Sequence, residues 1–190
     1  MNMTDLPLYY NAVDILEHNL AERADKTALY SRERNLTFRE VSNEANQIGN
    51  ALRKLGVRRG EYVALLSLDV PEWVTTFFGT LKIGAVHIGI NTLLTPTEYK
   101  YIFEDSRPAV LVVHGALWPK VKEIWAELPF LKHVIIIGEG DGKALSYTDW
   151  IVGESAELET VSTHREDFCT LNYSSGTTGQ PKGILHAHKD

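Results

Sequence analysis

Three short apolar runs limit what this chain can fold into: residues 62–68 (YVALLSL), 109–113 (AVLVV) and 133–138 (HVIIIG). None alternates apolar with polar residues. A strand that is apolar on both faces must be covered on both, as it is inside a parallel sheet between two layers of helices. The intervals between the runs carry helical signals long enough for crossover connections.

Those signals are specific. Residues 27–31 and 36–38 flank the polar turn RERN and read as a small hairpin over 27–38. Thr37 and Glu40 have capping-box spacing, and Val41, Ala45, Ile48, Leu52 and Leu55 recur on one face of the helix that follows. Gly56 is placed to end it. Pro71 stands in the first turn of a second helix, PEWVTTFFGTLKIG, which ends near Gly84. AVHIGI is a further strand, Thr95-Pro96-Thr97-Glu98 opens a helix ending near Ser106, and 117–128 is a helix whose Pro119 belongs to the first turn. Strand–helix units thus repeat over 62–138. The expected fold class is α/β, a parallel-rich sheet with helices on both faces. Residues 146–152 read as a short helix, and GESAELETVSTHRED, with five acidic residues, as a solvated loop. FCTLNY (168–173) is the last strand before a polar loop.

Composition excludes several functions. With 190 residues, 44% apolar and 23% charged, the chain has material for a real core and is not disordered. A formal charge of −6 argues against a nucleic-acid partner. No apolar run approaches a membrane span, and no basic-then-apolar segment follows Met1. The lone Cys169 excludes an internal disulfide and fits a reducing compartment, so a cytoplasmic location is expected.

The polar loop is the chemical feature. It runs Ser174-Ser175-Gly176-Thr177-Thr178-Gly179-Gln180-Pro181-Lys182-Gly183. Glycines let successive amide N–H groups approach an anion, hydroxyls donate without bulk, and Lys182 adds a compact positive charge. These are the parts of a polyphosphate cradle. The order is not that of a Walker A loop, because Lys182 is followed by Gly183 and the β-prone ILHAH rather than by Ser or Thr opening a helix. A flexible polar hairpin is the other reading of such a cluster. His186 and His188 alternate on one strand face, but with no carboxylate or Cys at ligand spacing no metal site is expected. Cys169 reads as a core thiol, Trp73, Phe77 and Phe78 as core, and Arg58-Arg59 as a solvated turn. Trp118 and Trp125 are spaced to pack one helix onto the sheet.

YSSGTTGQPKG closely resembles the phosphate-binding signature of the adenylate-forming (AMP-binding) enzymes, the superfamily of acyl-CoA synthetases, firefly luciferase and nonribosomal peptide adenylation domains. The resemblance extends to LTFREVSNEANQIGNALRKLGVRRGEYVALL and to FFGTLKIGAVHIGINTLLTPTEYKYIFEDSRPAVLVV, and so covers nearly the whole chain. The opening YNAVDILEHNLAERADKTAL and the string NTLLT are most similar to the benzoate-CoA ligase branch. The resemblance implies the N-terminal part of an acyl-CoA synthetase's large domain over 1–190. It also implies a two-step reaction of a small carboxylic acid with ATP, Mg²⁺ and coenzyme A. Ser174, Ser175, Gly176, Thr177, Thr178 and Gly179 would wrap the β- and γ-phosphates, and Lys182 would steady the loop or the departing pyrophosphate. The family often has a His near this point, which implies a pocket-lining role for His186. Members run well beyond such a loop, so a fragment lacking the C-terminal domain and inactive alone is expected, with exposed apolar surface favouring self-association. A non-catalytic nucleotide- or acyl-binding module of the same fold is the alternative.

Overall fold

The computed structural model describes residues 6–174 and 180–190. An N-terminal arm leads into two single-turn helices, α1 (Asp14–Glu17) and α2 (Leu20–Arg23), which the sequence reading did not pick out. Strands β1 (Thr27–Leu29) and β2 (Leu36–Thr37) pair antiparallel as a separate two-stranded sheet. Arg34, in the turn between them, reaches Glu44 and Glu72 (2.8 Å to the latter) and so fastens that sheet to the helices below. Helix α3 (Phe38–Lys54) opens on the full capping box, Thr37 accepting from the Glu40 amide while the Glu40 carboxylate accepts from the Thr37 amide. Gly56, at φ 86°, follows its end in the left-handed conformation that glycine adopts most easily.

Then come β3 (Tyr62–Leu66), α4 (Pro71–Lys82), β4 (Val86–Gly89), α5 (Pro96–Ser106) and β5 (Val110–His114). Helix α5 repeats the capping box with Thr95 and Glu98. A 3-10 turn leads into α6 (Trp118–Trp125), followed by β6 (His133–Ile137), β7 (Leu145–Ser146) and α7 (Tyr147–Ile151). The chain closes with β8 (Phe168–Ser174) and β9 (Lys182–Ala187). Seven strands form one sheet in the order β7-β6-β5-β3-β4-β8-β9, every pairing parallel except β8 with β9.

Alternate residues of the central strands serve opposite cores. Ala64, Leu66, Leu111 and Val113 pack under α5 and α6 with Tyr99, Phe103 and Trp118. Val63, Leu65, Val110 and Val112 pack under α3 and α7 with Ile48, Leu52 and Tyr147. The double coverage inferred from the apolar runs is present, each buried Leu or Val contributing about 1.5–3 kcal/mol. Trp118 and Trp125 sit edge to face, 5.6 Å between centroids, where α6 meets the sheet. Helices α3 and α4 approach closely because Gly79 lacks a Cβ, which would lie 2.8 Å from the Ala45 carbonyl oxygen.

The acidic segment 153–167 is the loop expected, with Ser155, Ala156, Glu157 and Glu159 exposed, but it does not run free in solvent. It forms neither helix nor long strand, but its backbone is strapped to the helices. Asn46 donates to the Ala156 carbonyl (2.7 Å), Asn50 to those of Ser155 and Glu157, and the Val161 amide to the Lys82 carbonyl. Leu158 packs into the core and Thr163 is buried. Extended backbone satisfied by side-chain amides leaves no periodicity to read. The N-terminal arm lies alongside: Tyr10 donates to Thr163, Asn11 to Leu81 and Val161, and the Ala12 amide to His188. Among the described residues no helix is long and apolar enough to cross a membrane.

Candidate functional site

The β8–β9 hairpin carries the candidate site. Tyr173 stands opposite Gly183, and Ser174 opposite Lys182, at the carboxyl end of a strand in a mainly parallel sheet. Ligands of open α/β sheets bind outside those carboxyl ends. Ser174, Gln180 and Lys182 are exposed, so the base of the turn is open to solvent. Ser175, Gly176, Thr177, Thr178 and Gly179 lie outside the described residues. From 168 to 189 the sequence holds no acidic side chain while it holds Lys182 and Lys189, a donor set suited to an anion.

The two histidines part company. His186 is half-buried and lines a cavity of about 340 Å³ with Phe77, Phe78, Cys169, Thr170 and Asn172. His188 is buried, and its Nδ1 accepts the Ala12 amide at 3.0 Å while Nε2 has no partner among the described residues. Burial pushes the His188 imidazole down to about 4, so it is neutral near pH 7. It ties strand end to arm. Among the described residues no three His, Cys, Asp or Glu side chains stand together to hold a metal. Cys169 is a buried thiol 3.6 Å from the His186 carbonyl, pushed up to about 11 by burial, and so not a ready nucleophile.

Trp73, Phe77 and Phe78 are only partly core. Phe77 and Phe78 face the cavity beside His186, and Trp73 stacks on Phe77 with centroids 5.7 Å apart. Helical spacing placed them on one face, but that face looks onto open space at the hairpin as well as onto the sheet. Beneath them is His87, which the sequence reading passed over. It is wholly enclosed, edge-on to Trp73 and Phe77, with Nδ1 3.3 Å from the Thr170 hydroxyl. Burial drives it down to about 3.

Tyr173 was also missed. Its hydroxyl donates to the Asp105 carboxylate at 2.6 Å, linking the hairpin to the end of α5. Its place immediately before the hydroxyl-rich loop was the available signal.

The model of a family described as AMP-binding enzyme matches residues 16–190. The whole chain superposes on 37% of the anthranilate CoA ligase AuaEII, solved in complex with anthranoyl-AMP, with a TM-score of 0.97 and 60% identity. It is 33% identical, over 95% of its length, to 34% of the 4-hydroxybenzoate–CoA/benzoate–CoA ligase of Rhodopseudomonas palustris. To the benzoate–CoA ligase of Thauera aromatica it is 36% identical, over 97% of its length and 35% of that protein. The chain therefore spans about a third of the length of the curated relatives it matches.

Proposed function

Since the chain belongs to the AMP-binding enzyme family, we propose that it is the N-terminal part of an ATP-dependent carboxylic acid–CoA ligase acting on an aromatic acid. A carboxylate oxygen attacks the α-phosphorus of ATP and the bond to pyrophosphate breaks. The CoA thiol then loses its proton and attacks the acyl-adenylate carbonyl, expelling AMP. The first step brings anions together, so fixed donors and positive charge must meet the phosphates. Ser174, Ser175, Gly176, Thr177, Thr178 and Gly179 donate to the β- and γ-phosphates, and Lys182 balances the departing pyrophosphate. None serves as a general acid or base.

The observation that carries this reading is the hairpin that sets Ser174 opposite Lys182 at the carboxyl end of β8, in a stretch free of carboxylates. Similarity to an anthranilate and a benzoate CoA ligase supports a ring-bearing acid, with 2-aminobenzoate the first to try. His186 and the Phe77–Phe78 pair wall the cavity on the acyl side. Mg²⁺ would accompany the ATP, held chiefly by its phosphates; among the described residues no three His, Cys, Asp or Glu side chains stand together, and none of these roles passes through a metal. The cytoplasm supplies ATP and CoA, and we place the protein there. Exposed Phe168, Ile184 and Leu185 give it a surface for self-association.

ATP binding tests the reading. The chain is expected to bind ATP, its Lys182→Ala variant about tenfold more weakly, and AMP equally to both, since AMP lacks the β- and γ-phosphates. The same 190 residues are expected to give no acid-dependent ATP–pyrophosphate exchange. Equal ATP affinity in both proteins would sink the assignment of the loop.

A further inference from the structure

The far end of the hairpin has little to hold it. The ladder between β4 and β8 ends with Gly89 opposite Asn172. Tyr173 and Ser174 run on past it, paired with Gly183 and Lys182 of β9. Strand β9 is last in the sheet among the described residues, so its outer edge carries no ladder to steady it. A two-stranded ribbon of this kind twists and swings readily unless a third element braces it.

Tyr173 supplies that brace in two directions. Its ring lies against the backbone of β9, for a Cβ built on Gly183 would meet Tyr173 Cε1 at 3.5 Å and Leu171 Cδ1 at 3.0 Å. An aromatic ring laid across a strand glycine fixes the two backbones face to face. Its hydroxyl then crosses to α5, donating to Asp105 at 2.6 Å, the short length of a hydrogen bond to a charged acceptor. Burial and the Asp105 carboxylate both raise the Tyr173 phenol above its usual range, which keeps the donor protonated. Helix α5 is itself anchored by Tyr99, Ile102 and Phe103 in the core.

We propose that Tyr173 and Asp105 form a strut that sets the angle of the hairpin bearing Ser174 and Lys182, making the Tyr173 hydroxyl a positioning group for the nucleotide's phosphates. The proposal rests on the reading of 174–183 as a phosphate loop. Neither side chain touches the nucleotide; they act through the backbone of β8 and β9.

Two measurements on the 190-residue chain separate the strut from that reading. Tyr173→Phe keeps the ring over Gly183 and loses only the hydroxyl, and Asp105→Ala removes the acceptor. Amide hydrogen exchange over 180–184 is expected to quicken roughly tenfold in either variant and no further in the double variant, with the β5 amides unchanged. Unchanged exchange in Tyr173→Phe, or independent effects that multiply in the double variant, would overturn the strut. ATP affinity is expected to fall about fivefold in Tyr173→Phe with AMP affinity unmoved. Faster exchange together with a loss of ATP affinity in Lys182→Ala but none in Tyr173→Phe would overturn the positioning role. Faster exchange with ATP affinity the same in all proteins would support the strut and sink the phosphate reading instead.

Discussion

Leu65 and Leu185 belong to the same sheet, yet the first is wholly buried in β3 and the second 40% exposed in β9. Around Leu65, strands are flanked by strands and covered by helices on both faces. Among the described residues Leu185 has one neighbouring strand, and Ile184 and Phe168 are also open to solvent. The centre is held by many small, interchangeable apolar contacts, whereas the hairpin depends on a few named polar ones. If the hairpin binds phosphate as proposed, its exposure follows, because a region that presents amides and a lysine to a ligand cannot also bury them.

Acid offers the largest test of that contrast. His87 lies under the centre and His188 at the hairpin's foot, pushed down to about 3 and about 4 by burial. Unfolded, both would titrate near the ordinary histidine value, so between there and pH 4 the unfolded chain binds more protons. The stability they contribute is fully present above about pH 6.5 and is lost progressively as pH falls from there to the folded values. Urea midpoints taken from pH 7 to pH 5 should show a loss of about 4 kcal/mol, roughly half from each histidine. His188→Gln should remove its own half; an unchanged slope would mean that the hairpin's foot opens before it titrates.

The leucines come next. Leu65→Ala should cost about 3 kcal/mol in urea denaturation and Leu185→Ala under about 0.5 kcal/mol. Comparable losses would erase the distinction between centre and edge. A third test concerns what ties the two regions together. Lys82, 2% exposed at the end of α4, pairs with Glu17, which also accepts from Thr160 at 2.7 Å. Glu17→Ala strands the buried ammonium and should cost about 2 kcal/mol, less than for a fully enclosed pair because water reaches Glu17. Limited proteolysis of that variant should cut first within the arm or the 153–167 strap. First cleavage near β3 would count against this division of the molecule.

What could be read from the sequence follows from how far each interaction reaches. Thr37 with Glu40 and Thr95 with Glu98 are three residues apart, and both capping boxes form as their spacing implies. The central strands announced themselves because burial on two faces leaves an uninterrupted apolar run. The strap over 153–167 did not, since Asn46 and Asn50 meet it from more than a hundred residues away. Ser174 and Lys182 stood out as chemistry, but the Tyr173–Asp105 contact spans 68 residues and exists only because α5 follows the strand beside β8. Phe77 and Phe78 were assigned to the core because helical spacing shows that residues share a face but not what that face meets.

One bond near the beginning of the chain has a consequence for synthesis. The Ala12 amide is satisfied by His188, 176 residues later. Translation at roughly 5–20 residues per second would separate the two by about 10–35 seconds. During that interval the arm emerging from the ribosome has no partner for Ala12, and the hairpin that will complete it is still being made. The strand end that closes the arm at His188 is therefore made long after the arm itself, and the arm's last backbone bond is among the late contacts of this fold.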